Sequence, residues 1–185
     1  MRIITGIAKG LKLKTPTGFD TRPTSDRVKE SLFSILNGMI NFFELNSVLD
    51  VFAGTGSLGL ETISRGASSA FFIDSSTGNL ISENISKAKF ENKCKVFRGD
   101  FMNVLKSFSN QNLQFDLIFA DPPYHKGLAK KFLDAVSELN LLADAGLVVV
   151  EYGADEILDD AKNLKLIRKI NYGHTTNVNI YGKIF

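Results

Sequence analysis

The stretch that decides the fold is "LDVFAGTGSLGLE", residues 49–61. An apolar run carries Asp50, a short connector of Phe52 and Ala53 follows, and Gly54, Gly56 and Gly59 then open what reads as a helix. Three glycines at G-x-G-x-x-G spacing behind a strand mark a nucleotide-binding unit, because small residues let a ligand approach the backbone at a helix N-terminus. The spacing alone leaves two kinds of ligand open. A dinucleotide would bring a pyrophosphate up to the Asp50 carboxylate, which is electrostatically unfavourable. A ligand with a cationic amino group makes the same carboxylate an asset.

Outward from this loop, strands and helices alternate. The strands read as "SVLDVF", "SAFFID", "KVFRG", "FDLIFA" and "GLVVVEY", with helical stretches near 57–66, 77–91, 101–109 and 127–139. Near-continuous apolar strands joined by helices build a parallel sheet covered on both faces. Two closing runs, "LKLIRKINYG" and "TNVNIYGKIF", alternate around Gly173-His174 and predict an antiparallel hairpin at the sheet edge. The expected architecture is α/β, a doubly wound and mostly parallel seven-stranded sheet with that hairpin at its C-terminal side. Ahead of it, "RIITGIAKGLKLKT" predicts a short β-arm broken by Gly6 and Gly10. "FDTRPTSDR" predicts a hinge in which Pro23 holds Arg22 extended and Thr24 or Ser25 caps a helix. In that helix Val28, Leu32, Ile35, Leu36, Met39, Ile40 and Phe43 recur at helical spacing and predict one buried stripe. The expected division is a basic arm and hinge over residues 1–23 and a catalytic domain with its leading helix over 24–185.

Composition excludes several classes. The single cysteine, Cys94, allows neither an internal disulfide nor a cysteine zinc cage, and the two histidines, His125 and His174, form no cluster, so no metal is expected. No apolar run is long enough for a signal peptide or a membrane span, and the chain reads as a soluble cytoplasmic protein. Net charge is only +2, yet residues 1–35 hold seven cations against three acids. That basic start fits an arm that contacts a polyanion as well as it fits an ordinary solvated hairpin.

In open α/β sheets ligands sit at the carboxyl ends of the strands, beside the switch in strand order. Four of those ends carry an acid: Asp50–Gly56, Asp74, Gly99-Asp100 and Asp121–Tyr124. S-adenosylmethionine, with a sulfonium, an α-amino group, a ribose diol and an adenine amine, suits such a set. Asp50 is expected to orient the methionine end through water, Gly54 and Gly56 to admit it, Asp74 to accept the ribose hydroxyls and Asp100 the adenine amine. Phe52 and Phe101 either flank the adenine or are plain core. The fourth end, "FADPPYHK", has a mechanism attached. A nucleobase amine is a poor nucleophile because its lone pair is delocalised. The Asp121 carboxylate and the Pro122 carbonyl would hold both N–H groups and aim that lone pair, while consecutive prolines preorganise the corner. Tyr124 would stack on an extruded base.

Taken together, "RPTSDRVKESLFSIL", "VLDVFAGTGSLGLE", "RGD" and "DPPY", in this order behind a short basic start, resemble a bacterial RNA methyltransferase family. Its members modify the exocyclic N2 of one guanine in small-subunit ribosomal RNA. The resemblance implies a Rossmann-like class I methyltransferase fold, S-adenosylmethionine as cofactor, and ribosomal RNA within an assembled or assembling small subunit as partner; the protein itself is expected to be a monomer. It implies cofactor roles for Asp50, Gly54, Gly56, Asp74 and Asp100 and base-handling roles for Asp121, Pro122 and Tyr124. The family often has Glu where this chain has Asp74, one methylene shorter. Lys9, Lys12, Lys14, Arg22 and Arg27 are the expected RNA contacts. "DPPY" also occurs in adenine-N6 methyltransferases, which makes that reaction on DNA or RNA the rival reading.

Overall fold

The computed structural model describes residues 1–16 and 26–184. The hinge residues Arg22, Pro23, Thr24 and Ser25, and with them the expected boundary between 23 and 24, lie outside these. The chain runs α1 (Asp26–Asn37), a short 3-10 turn (Phe42–Glu44), β1 (Val48–Val51), α2 (Ser57–Ser64), β2 (Ala70–Asp74), α3 (Gly78–Ala88) and β3 (Cys94–Arg98). It continues with α4 (Phe101–Asn110), β4 (Phe115–Ala120), α5 (Leu128–Glu138), β5 (Leu142–Gly153), β6 (Leu164–Tyr172) and β7 (Thr176–Lys183). The strands form one seven-stranded sheet in the order β3-β2-β1-β4-β5-β7-β6. β1 to β5 pair in parallel, and β7 runs antiparallel to both β5 and β6. The strand order reverses between β1 and β4, so the switch point lies where "DVFAG" and "DPPY" emerge side by side.

Two apolar cores, one on each face, explain why the central strands β1, β2, β4 and β5 are largely hydrophobic. Val48, Phe72, Leu117, Phe119 and Val149 face Leu32, Phe33 and Leu36 of α1, Leu60 and Ile63 of α2 and Ile81 of α3. Leu49, Val51, Ile118, Val148 and Val150 face Leu105 and Phe108 of α4 and Phe132, Leu133 and Val136 of α5. Alternation along each strand thus feeds both layers.

The buried face of α1 differs from the expected stripe. It consists of Lys29, Leu32, Phe33 and Leu36, whereas Val28 and Ile35 lie at its margin. The helix ends at Asn37 ahead of Gly38, so Phe43 falls in the 3-10 turn and stands 79% exposed. Lys29 is tolerated inside because Glu61 of α2, equally buried, faces its ammonium at 3.5 Å and the Arg2 carbonyl accepts from it. Burial still pulls its pKa down against the pull of Glu61. Glu61 in turn accepts from the Ile4 and Thr5 amides at 2.7 and 3.0 Å and from Arg65 Nε at 2.9 Å.

The N-terminal segment is a hairpin with one bridge, Arg2↔Lys12, rather than a pair of full strands. It is sewn onto the domain. Ile3 and Leu13 enter the core, Ser64 Oγ donates to the Thr5 carbonyl, and Asn84 of α3 exchanges hydrogen bonds with both backbone groups of Lys14.

Candidate active site

The glycine loop is held by side chains below it. Asp50, only 2% exposed, accepts from the Gly59 amide at 2.9 Å. Burial, only partly offset by that hydrogen bond and reinforced by nearby Asp74, pushes its carboxyl up to about 7. Gly59 has to be glycine for packing, since a Cβ there would sit 2.4 Å from the Phe72 ring. Gly56 begins α2 with φ +76°, a conformation that L side chains rarely adopt. Phe52 also has positive φ, 59°, an unusual state for an aromatic residue and the kind of backbone strain found where geometry serves function. Ala53 is anchored by its amide to the Ile73 carbonyl at 3.1 Å.

Asp74, closing β2, reaches across to accept the Gly54 amide at 3.0 Å while its other oxygen takes the Ser76 and Thr77 amides, each at 2.9 Å. Burial opposes its charge, but these hydrogen bonds outweigh it and hold the carboxyl below its ordinary value. The Thr77 hydroxyl lies near enough to steady that charge without meeting hydrogen-bond geometry. It is the one buried side-chain polar atom among the described residues with no partner. Asp100 follows β3 and caps α4 by accepting the Asn103 amide at 3.2 Å. A Cβ on Gly99 would meet nothing within 4 Å, and one on Gly54 only the Phe52 carbonyl at 4.0 Å. The loops at β1 and β3 thus border open space, with the half-buried Asp74 between them. Phe52 and Phe101 touch each other, ring centroids 4.8 Å apart, so they offer one aromatic surface rather than two walls.

Across the switch point stands the "DPPY" corner. The register Val51↔Ala120 continues into a bond from the Asp121 amide to the Val51 carbonyl at 3.4 Å. Pro122 is buried and Pro123 exposed. Tyr124 is half-buried; its hydroxyl donates to Glu151 Oε1 at 2.6 Å and lies 3.1 Å from Thr176 Oγ1. Burial, then the Glu151 bond, drives its pKa upward, so the phenol stays protonated and remains a donor.

Sequence reasoning missed Glu151, Thr176 and Asn84. Glu151 was legible in principle, because "GLVVVEY" also ends in an acid at its carboxyl end, as the four other strands do. Thr176 and Asn84 carried no such signal. Asn84 is fully buried and also donates to the Thr55 carbonyl of the glycine loop at 3.0 Å. Of the basic residues, Lys9, Lys12 and Arg27 are exposed, whereas Lys14 is tied to Glu83 at 2.6 Å. Arg27 borders a cavity of about 380 Å³ between α1 and the β6–β7 turn. Arg22 lies outside the described residues. A larger concavity, about 430 Å³, is lined by Thr5, Ile40, Phe42 and Arg65 at the far end of α2, away from the acid-bearing strand ends. His125 faces Asp155 at 3.6 Å with both side chains in solvent, and His174 is exposed. Cys94 is a half-buried filler, and burial pushes its thiol up to about 12. Among the described residues no three or more His, Cys, Asp or Glu gather as metal ligands, and no helix is long and apolar enough to cross a membrane.

A sheet of this order with β7 reversed, a glycine loop at β1 and an acid-Pro-Pro-Tyr corner at β4 define a Rossmann-like class I methyltransferase. The chain belongs to the family described as conserved hypothetical protein 95, whose model matches residues 1–181. Ribosomal RNA small subunit methyltransferase D of Haemophilus influenzae is 35% identical over 176 residues, 94% of this chain and 89% of that protein. The Escherichia coli protein of the same name is 35% identical over 153 residues, 82% of this chain and 74% of its own. The solved structure of a hypothetical protein from Thermus thermophilus superposes with a TM-score of 0.83 at 26% identity, covering 100% of this chain and 99% of that one.

Proposed function

We propose that the protein methylates the exocyclic N2 amine of a guanine in small-subunit ribosomal RNA, using S-adenosylmethionine, and acts as a cytoplasmic monomer on the small-subunit particle. The observation that carries this is the bond between Asp121 and Val51, which fixes the "DPPY" corner against the glycine loop so that donor and acceptor sites adjoin. The family's relatives named as small-subunit ribosomal RNA methyltransferases supply the substrate class.

The residues fit the cofactor. Open space beside Gly54 and Gly99, the unpartnered Thr77 hydroxyl and the acids Asp74 and Asp100 match a ligand with a diol and an amine. Asp74 already takes three backbone amides, so Thr77 shares the ribose with it. The adenine lies against the joint Phe52–Phe101 surface. When bound, S-adenosylmethionine supplies an electrophilic methyl carbon. Asp121 and the Pro122 carbonyl accept the two N–H groups of the amine and orient its lone pair, and Tyr124 stacks on the base. No strong base is needed, since the nitrogen sheds its proton readily once alkylated. In-line placement is the main contribution of the protein.

The test is incubation of the protein with labelled methyl donor and undermodified small ribosomal subunits, with the product nucleoside mapped by mass spectrometry. N2-methylguanosine at one position is expected, and N6-methyladenosine or no product would overturn the reading. Asp121→Ala should lower kcat about 100- to 1,000-fold, the cost typical of removing a preorganised polar contact, while S-adenosylhomocysteine still raises the melting temperature.

A further inference from the structure

The "DPPY" corner can hold the amine of guanine or of adenine, so it does not by itself choose the base. The choice falls to what lies beside the amine. Guanine presents the N1–H donor next to its N2 amine, whereas adenine presents an N1 lone pair next to its N6 amine. An acceptor adjoining Asp121 would attract the first and repel the second.

Such an acceptor is present. The register Ala120↔Val150 leads on each strand into an acid, Asp121 just beyond β4 and Glu151 beside it, two residues before β5 ends. Neighbouring strands lie about 4.8 Å apart, a gap that two side chains leaning over one ligand span. Glu151 Oε1 receives the Tyr124 hydroxyl, so the carboxylate stands at the edge of the ring on which the base stacks. Thr176 braces the same hydroxyl from β7. One aromatic face and two neighbouring carboxylates make a slot that sets two acceptors side by side, complementary to the paired N1–H and N2–H donors of guanine.

We propose that Glu151 selects guanine, its carboxylate accepting the N1–H of the base whose N2 amine is held by Asp121 and Pro122. This rests on the functional reading above. Against adenine the same carboxylate is a repulsive element, which is how specificity is set when two ligands share every other contact.

The competing account makes Glu151 merely the anchor of the Tyr124 ring. Two conservative variants separate the accounts. Tyr124→Phe removes the anchor and keeps ring and acid. Glu151→Gln keeps the shape and can still accept from Tyr124, but its amide can turn a donor toward the base. The substrate is small-subunit RNA assembled into particles, carrying at the mapped position either guanine or 2-aminopurine, which retains the exocyclic amine but has an unprotonated N1. Wild type is expected to disfavour 2-aminopurine by roughly 10- to 100-fold in kcat/KM, the discrimination of one good base-edge contact. Glu151→Gln should lose most of that preference, chiefly by losing activity on guanine, while Tyr124→Phe keeps the preference at reduced activity. Melting with S-adenosylhomocysteine checks that both variants are folded. An unchanged preference in Glu151→Gln, or the same profile in both variants, overturns the proposal. Failure of the functional reading itself would show in wild type alone, as absence of N2-methylguanosine.

Discussion

Replacing Asp50 by Asn tests the loop in its most sensitive place. The native carboxyl titrates near 7 against 3.8 for an ordinary Asp, chiefly because it is buried. Between those values the folded protein keeps the proton that the unfolded chain releases. Stability from this group is therefore complete below about pH 4 and is lost as pH rises through 7. Roughly three pH units at about 1.4 kcal/mol each set a ceiling near 4 kcal/mol. Asn is close to isosteric, and its carbonyl can still accept from the Gly59 amide, but it carries no titrating proton. Urea unfolding of both proteins from about pH 4.5 to about pH 8 isolates the effect, since every other titrating group is common to both and cancels in the difference. The Asn variant should gain on wild type steadily with pH, by up to about 4 kcal/mol at the alkaline end. Above pH 7 its affinity for S-adenosylhomocysteine should fall, because Asn lacks the carboxylate expected to orient the cationic amine of the ligand. A stability difference that stays flat with pH would refute the argument.

Three further outcomes are expected. Glu61→Gln strands the Lys29 ammonium and two backbone amides around a neutral side chain, which should cost about 3–5 kcal/mol and lower Tm by roughly 6–20 °C in a thermal melt. Gly59→Ala drives a methyl into Phe72 and should cost about 1–3 kcal/mol by denaturant titration, with weaker S-adenosylhomocysteine binding as α2 shifts. Neutralising Lys9 and Lys12 together should reduce the slope of RNA affinity against salt by about one to two units, whereas Lys14→Ala, already paired with Glu83, should change it less.

The parallel part of the sheet was legible because its central strands are largely apolar and its helices are announced by a change of period, and the candidate site was drawn from four acids that recur at strand ends. What periodicity cannot show is a polar group made acceptable by partners distant in sequence. Lys29 looks like a surface position of α1 until Glu61, 32 residues away, is seen facing it. Asn84 looks like one more polar residue on α3, yet its amide joins two loops through Lys14 and Thr55. The expected stripe over α1 runs on to Phe43 because spacing alone does not register that Gly38 ends the helix. In the sequence Asp50 reads as a group that orients the ligand through water, and nothing there announces that it also holds the Gly59 amide and so braces the loop.

The way the leading hairpin is fastened bears on how a large substrate is met. Lifting it would leave the Glu61 carboxylate stripped of two amide donors in a dry interior, so it does not sweep through solvent as a tentacle. Its lysines ride on a backbone already ordered, so the ordering cost left when a polyanion arrives is that of their side chains. Encounter should then behave as the docking of two prepared surfaces, quickened by charge and slowed by salt, rather than as the capture of prey by a loose tail.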